Sequence, residues 1–114
     1  MTKISAGLLM YRLNNKNLEV FLVHPGGPFF AKRDNGIWSI PKGLQEDNED
    51  LLKTAKREFY EESSIDSGPF QGKQARMTEL GFVEYNNKKV HCWAFENNIT
   101  DEEIKKVFKS NLSL

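Results

Sequence analysis

Three glutamates, Glu58, Glu61 and Glu62, fall within the six residues Arg57-Glu58-Phe59-Tyr60-Glu61-Glu62. In a helix they stand at i, i+3 and i+4 and share one face. Like charges at those offsets repel by a few tenths of a kcal/mol per pair, so helix formation alone gives no reason to crowd them. A hard divalent cation does. Mg²⁺ takes oxygen ligands, usually one or two carboxylates with water and substrate phosphates making up the rest. The spacing therefore points to a metal-binding helix that works on a phosphate-bearing substrate. The competing explanation is a solvated helix face with ordinary ion pairs, since Arg57 lies four residues before Glu61.

The helix that must carry these acids is legible. Leu51, Leu52, Ala55 and Phe59 recur at helical spacing and form an apolar stripe. Asp47 and Asn48 are N-cap candidates, and Glu49 and Asp50 bring negative charge to the positive end of the dipole. On a helical wheel Glu62 falls inside the apolar arc, Glu58 at its edge and Glu61 further out. A carboxylate tucked beside a core is costly unless it is paired or metal-bound, which favours a site over a solvated face.

The chain has 114 residues and is expected to form a single domain over 1–114. Sixteen basic residues balance sixteen acidic ones, so net charge gives no basis for a nucleic-acid or membrane partner. Cys92 is the sole cysteine, so no internal disulfide can form and a reduced, cytoplasmic location is expected. No apolar run approaches the ~18–20 residues of a membrane span, and the N-terminus reads as a first strand rather than a signal peptide.

In chain order, Ile4–Leu13 reads as a strand and Asn14-Asn15-Lys16-Asn17 as a turn. Leu18–His24 reads as a second strand covered on both faces. His24-Pro25-Gly26-Gly27-Pro28 is a loop, and Phe29, Phe30 and Trp38 could stack a base or fill a core equally well. Gly36–Pro41 reads as a short strand, after which Lys42-Gly43-Leu44-Gln45 turns towards the helix. Gly43 can present its carbonyl without side-chain hindrance, and Lys42 could meet a phosphate. Beyond the helix, Ala75–Tyr85 and Lys88–Glu96 form a hairpin around Asn86-Asn87, with Gly81 marking a bulge. Thr100 and Glu103 carry a capping-box pattern that starts a short amphipathic helix. His24, His91 and Cys92 read as structural. Neither a dinucleotide fingerprint nor a P-loop is present. The layout is α+β, a mixed sheet with helices packed on it.

These residues carry a resemblance. Gly43, Glu49, Arg57, Glu58, Phe59, Glu61, Glu62 and Ile65 fall in register on Gly-x5-Glu-x7-Arg-Glu-U-x-Glu-Glu-x-Gly-U, where U is bulky and apolar. That pattern is the signature of the Nudix hydrolases. The stretch from Leu18 to Ile65, with Trp38-Ser39-Ile40-Pro41-Lys42-Gly43 in it, resembles bacterial MutT-like members. The resemblance implies an α/β/α sandwich around a mixed sheet and hydrolysis of a pyrophosphate bond in a nucleoside diphosphate linked to another moiety. Mg²⁺ or Mn²⁺ would be the cofactor. Glu58, Glu61, Glu62 and the Gly43 carbonyl would ligate it. Glu61 is the candidate general base, Arg57 would orient the carboxylates and Glu49 would fix Arg57. Lys42, Phe29, Phe30 and Trp38 are the candidate substrate contacts. A nucleoside triphosphate or dinucleoside polyphosphate is the favoured substrate.

Two departures bear on that expectation. Ser64 stands where the signature has a helix-ending glycine, and a non-glycine residue there costs of order 1 kcal/mol. A locally altered helix end is expected. The family pattern also continues through another strand and a C-terminal helix, which leaves core for a second subunit to cover in a homodimer. It could also remove an acidic ligand, for which Glu84, Glu96, Glu102 and Glu103 are substitutes. The alternatives are a Nudix-fold nucleotide-binding or regulatory module without turnover, and a purely structural protein.

Overall fold

The computed structural model describes residues 2–23, 40–68, 76–104 and 106. β1 (Lys3–Asn14) is the strand on which the sheet is built. Its small and aliphatic residues Ala6, Leu8 and Met10 alternate onto one face and are buried there. β5 (Lys88–Glu96) runs parallel to it on one edge, from Lys3 opposite Lys88 to Tyr11 opposite Glu96. The other edge is shared by two short antiparallel strands. β2 (Asn17–Val20) pairs with Tyr11–Asn14, and β3 (Lys42–Leu44) pairs with Ser5–Gly7. β4 (Thr78–Tyr85) closes the order β2-β1-β5-β4 as an outer strand antiparallel to β5. The sheet is mixed, and the fold is α+β.

The turns follow from their residues. Asn15 and Lys16 take left-handed φ of 51° and 70° between β1 and β2. Asn86 and Asn87, at 46° and 60°, form the two-residue turn between β4 and β5. Gly81, at φ 94°, sits at the register shift of β4 against β5, as its place in the strand suggests. Thr100 and Glu103 close the reciprocal cap. The Glu103 N–H donates to Thr100 Oγ1 at 3.2 Å, and the Thr100 N–H donates to Glu103 Oε1 at 3.3 Å.

α1 (Leu51–Ser63) lays Ala55 and Phe59 on β1. Phe59 meets Phe95 edge-on at 5.4 Å and Phe21 at 6.1 Å. Truncating such a fully buried ring costs about 3–5 kcal/mol, so Phe59→Ala is the single change that would most loosen α1 from the sheet. The N-cap is Asp50, whose carboxylate accepts from the Lys53 N–H at 3.3 Å. The expected caps Asp47 and Asn48 come too early, because Asn48 is left-handed (φ 59°) and still in the preceding turn.

Three further expectations are corrected. The second strand is short and exposed along its length, because β2 pairs only with β1 at the end of the sheet order. Lys42–Leu44 is a strand rather than a turn, held to β1 by register. The helix end is not altered by Ser64. That residue adopts φ 61°, ψ 16° itself, and its N–H donates to the Tyr60 carbonyl at 2.7 Å. The neighbouring buried Ser63 hydroxyl donates to Phe59 O at 2.6 Å and accepts from the Ile65 N–H at 3.0 Å. These bonds, with Ile65 buried just beyond, offset the left-handed strain.

Candidate active site

β3 and α1 meet at Gly43. A side chain at that position would collide with the Glu58 carboxylate, so the glycine is what lets the acid lie against the strand. One residue earlier, the Lys42 backbone N–H donates to Glu62 Oε2 at 2.8 Å. The Lys42 side chain leaves on the opposite face of the sheet, beside Gly7 and within electrostatic reach of Cys92. The Lys42 amide bonds Glu62 directly, and its ammonium lies within electrostatic reach of the same carboxylate.

Arg57 is the hub. Its Nε donates to Glu49 Oε2 at 2.9 Å and its Nη2 to Glu49 Oε1 at 3.1 Å, a two-pronged grip. Nη2 also donates to the Leu44 carbonyl at 3.0 Å, which ties α1 to β3. Nη1 donates to Glu58 Oε1 at 2.8 Å and lies 3.4 Å from both Glu61 oxygens. The Arg57–Glu61 pair expected from helical spacing is therefore the loosest of the three.

Glu49 is pinned from two further sides. The Thr54 hydroxyl donates to Oε1 at 2.8 Å and the Glu46 N–H at 3.2 Å. Gln45 Nε2 donates to the Glu49 carbonyl at 2.7 Å. Arg57 above all, then Thr54, lowers the Glu49 pKa to about 2. Hydrogen bonding to Glu49 likewise raises the Arg57 pKa. Glu62 moves the other way. Desolvation pushes its pKa up, with help from Glu58 and Glu61, against the Lys42 N–H and the Lys42 ammonium, which both favour its charge.

The burial order differs from the helical wheel. The Glu58 side chain is 17% exposed and Glu61 55%, while Glu62 is exposed as a residue although its carboxylate is bonded to β3. Among the described residues no three His, Cys, Asp or Glu side chains converge closely enough to hold an ion as they stand, since Arg57 engages Glu58 and Glu61. The donor set nevertheless suits a hard cation: all oxygens, projected from one helix against a backbone that a side chain would block.

Sheet register adds residues that sequence reasoning assigned elsewhere. Gly43 pairs with Ala6, Ala6 with His91 and His91 with Phe82, so the four form one row on the α1 face. Phe82 and His91 lie ring to ring at 5.3 Å, and Lys89 Nζ sits 4.1 Å above the Phe82 ring. His91, read as structural, thus shares a face with the acids. Counting back from Asn86-Asn87 would have paired it with Phe82, but its alignment with Gly43 needed the two other strand pairings. Phe29, Phe30 and Trp38 lie outside the described residues, as does His24.

Elsewhere, burial pushes the half-buried Cys92 thiol up, consistent with packing rather than nucleophilic chemistry. Glu103 is engaged in its cap, and Glu96 accepts from Asn98 Nδ2 at 3.2 Å. A cavity of about 200 Å³ lies between Met10, Arg12, Phe21, Ile99 and Ile104, and none of its lining residues belongs to the acid cluster.

The NUDIX domain family model matches residues 1–110. The chain belongs to the Nudix family. It is 31% identical over 110 residues to the asymmetrical bis(5'-nucleosyl)-tetraphosphatase of Sus scrofa, covering 89% of this chain and 69% of that protein. It is 38% identical over 55 residues to the RNA pyrophosphohydrolase of Rhodopseudomonas palustris, covering 48% of this chain but 33% of that one. The structure of C. elegans Ap4A hydrolase superposes with a TM-score of 0.61 at 22% identity, over 98% of this chain and 99% of that one. The NUDIX domain of Shewanella oneidensis NrtR, solved with ADP ribose, gives 0.61 at 18% identity over 88% and 63%. These two structural likenesses establish the Nudix fold. The chain is an enzyme of the Nudix pyrophosphohydrolase class, as its signature implies. Among the described residues no helix is long and apolar enough to cross a membrane.

Proposed function

We propose that this Nudix domain hydrolyses a nucleoside triphosphate or a dinucleoside polyphosphate with Mg²⁺ or Mn²⁺. The observation that carries this reading is a charge imbalance. Glu46, Glu49, Glu58 and Glu61 all lie within 4 Å of the one Arg57 guanidinium, and Glu62 adjoins them at β3. Glu58, Glu61, Glu62 and the Gly43 carbonyl would hold the cation. When bound, a divalent ion neutralises substrate phosphate oxygens and lowers the pKa of coordinated water.

The chain's own residues do the rest. Glu61, exposed and the least tightly held of the three, accepts the proton of the water that attacks phosphorus as the anhydride P–O bond breaks. Arg57, braced by Glu49, fixes Glu58 beside Gly43. The Phe82–His91 pair, with Lys89 over the Phe82 ring, offers an aromatic and cationic surface for a nucleotide. Three strand spacings, ~14 Å, separate Gly43 from Phe82, which suits an extended phosphate chain. The sequence likeness to a tetraphosphatase supports that choice.

The test is a panel of nucleoside triphosphates, dinucleoside polyphosphates and nucleotide sugars, assayed with Mg²⁺ and with Mn²⁺ for product release. Turnover of a polyphosphate that disappears in Glu62→Gln supports the reading. Binding of nucleotides without product across the panel would identify a non-catalytic nucleotide-binding module instead.

A further inference from the structure

We propose that Thr54 is a positioning residue of the active site, the outermost member of a chain that runs Thr54–Glu49–Arg57–Glu58. Position 54 is one of the unspecified residues of the Nudix signature, so the family pattern assigns it nothing. This role presupposes the hydrolase reading given above for its effect on rate, though not for its effect on Arg57.

Thr54 is fully buried, with its hydroxyl between two acceptors: Glu49 Oε1 at 2.8 Å and the Asp50 carbonyl at 3.2 Å. A threonine in a helix ordinarily bonds back to the carbonyl four residues earlier, here that of the N-cap Asp50. The Thr54 N–H already donates to that carbonyl at 2.9 Å. The hydroxyl has one proton, and the shorter contact runs to a charged oxygen, where a hydrogen bond is stronger. Thr54 therefore serves Glu49.

That service matters because Glu49 faces a geometric demand. Both its oxygens must meet the Arg57 fork at once, at 2.9 and 3.1 Å, while Oε1 also takes the Glu46 N–H. A carboxylate on a two-carbon stem is rotationally free unless something fixes its plane. Thr54 does so from inside the helix. With the Glu49 plane set, Arg57 can reach Leu44 O and Glu58 together, and Glu58 is held where Gly43 leaves room. Losing the hydroxyl would leave the carboxylate plane to the Arg57 fork and the Glu46 N–H alone, without removing a charge.

Two measurements decide it, made on Thr54→Val, Thr54→Ser, Glu49→Gln and the Thr54→Val/Glu49→Gln pair. The first follows the Arg57 Nε–H resonance by ¹H–¹⁵N NMR. It is expected to broaden or exchange away in Thr54→Val and to return in Thr54→Ser. The second is steady-state kinetics on a nucleotide the wild type hydrolyses. Thr54→Val is expected to lower kcat roughly tenfold, with KM within about twofold, as for an outer partner of a metal site. Thr54→Ser restores it, and Thr54→Val adds no further loss once Glu49 is Gln. An unchanged Arg57 Nε–H signal in Thr54→Val overturns the role, as does a full multiplication of the two losses. Should valine prevent folding, Thr54→Ala carries the same expectations. Should the wild type hydrolyse no nucleotide, the hydrolase reading fails and the Arg57 resonance still decides Thr54.

Discussion

Arg12 and Arg57 are built alike and do different things. Each guanidinium holds more than one carboxylate and one backbone carbonyl. Arg12 donates to Glu19 at 2.8 Å, Asp101 at 2.7 Å and Ile99 O at 2.8 Å. Its partners come from β2 and from the segment beyond β5, so the network ties distant pieces of chain together. Glu19 and Asp101 are spread apart and well exposed, at 44% and 73%, where water can carry the surplus charge. Arg57 has the same donors but more acids around it, crowded onto one helix and one loop. Glu58 and Glu49 are largely covered, at 17% and 15%. One cation faces two carboxylates in the first cluster and four in the second. A structural ion-pair hub and a site differ here not in geometry but in unmatched charge next to open backbone.

The largest expected effect separates the two clusters by activity. Glu58→Gln, Glu61→Gln or Glu62→Gln should each lower hydrolysis by more than the roughly 10–100-fold that outer partners cost at a metal site. Glu19→Gln at Arg12 should leave it within about twofold. Equal losses in the two sets, measured as kcat/KM, would erase the distinction.

Gly43→Ala comes next. The added methyl would displace the Glu58 carboxylate, so activity should fall roughly 10–100-fold. Stability should fall by about 1–3 kcal/mol, as for an overpacked contact. Denaturant unfolding and kinetics together read both.

Arg57→Lys keeps the charge but loses the fork that meets Glu49 and the Leu44 carbonyl. A roughly tenfold loss of kcat is expected. Arg12→Lys should instead lower the melting temperature slightly and spare the rate.

The smallest effect is on acid stability. Glu49 titrates near 2 in the folded chain, below its ordinary value of 4.5. A depressed carboxylate contributes stability that is complete above the unfolded value and is lost as pH falls through the folded one. Melting curves from pH 5 to 2 should fall less steeply in Glu49→Gln. Glu62 has the opposite sign: its raised pKa favours the fold at low pH, an advantage lost as pH rises through the folded value.

The sequence revealed whatever is local. The helix stripe, the Asn86-Asn87 turn, the Gly81 bulge and the Thr100 cap each follow from a few neighbouring residues. So did the acids and the Arg57–Glu49 tie, which a family signature carries. What it hid depends on register between distant strands. Lys42–Leu44 looks like a turn until β1 pairs with it, and the place of His91 on the Gly43 face shows only once Ala6 lines the two up. Thr54 was hidden for another reason: within the helix pattern it is an ordinary residue, and only its rotamer gives it a partner. Ser64 misled in the opposite direction. The missing glycine suggested a broken helix end, yet the backbone keeps its left-handed turn with serine.

The most direct test is calorimetric titration of Mn²⁺ and Mg²⁺ into the wild type, the Glu58→Gln/Glu61→Gln/Glu62→Gln triple variant and Glu19→Gln. Unmatched charge at Arg57 predicts saturable binding in the wild type and in Glu19→Gln, and none in the triple variant. Binding that survives the triple substitution, or a wild type that binds neither ion, would contradict it.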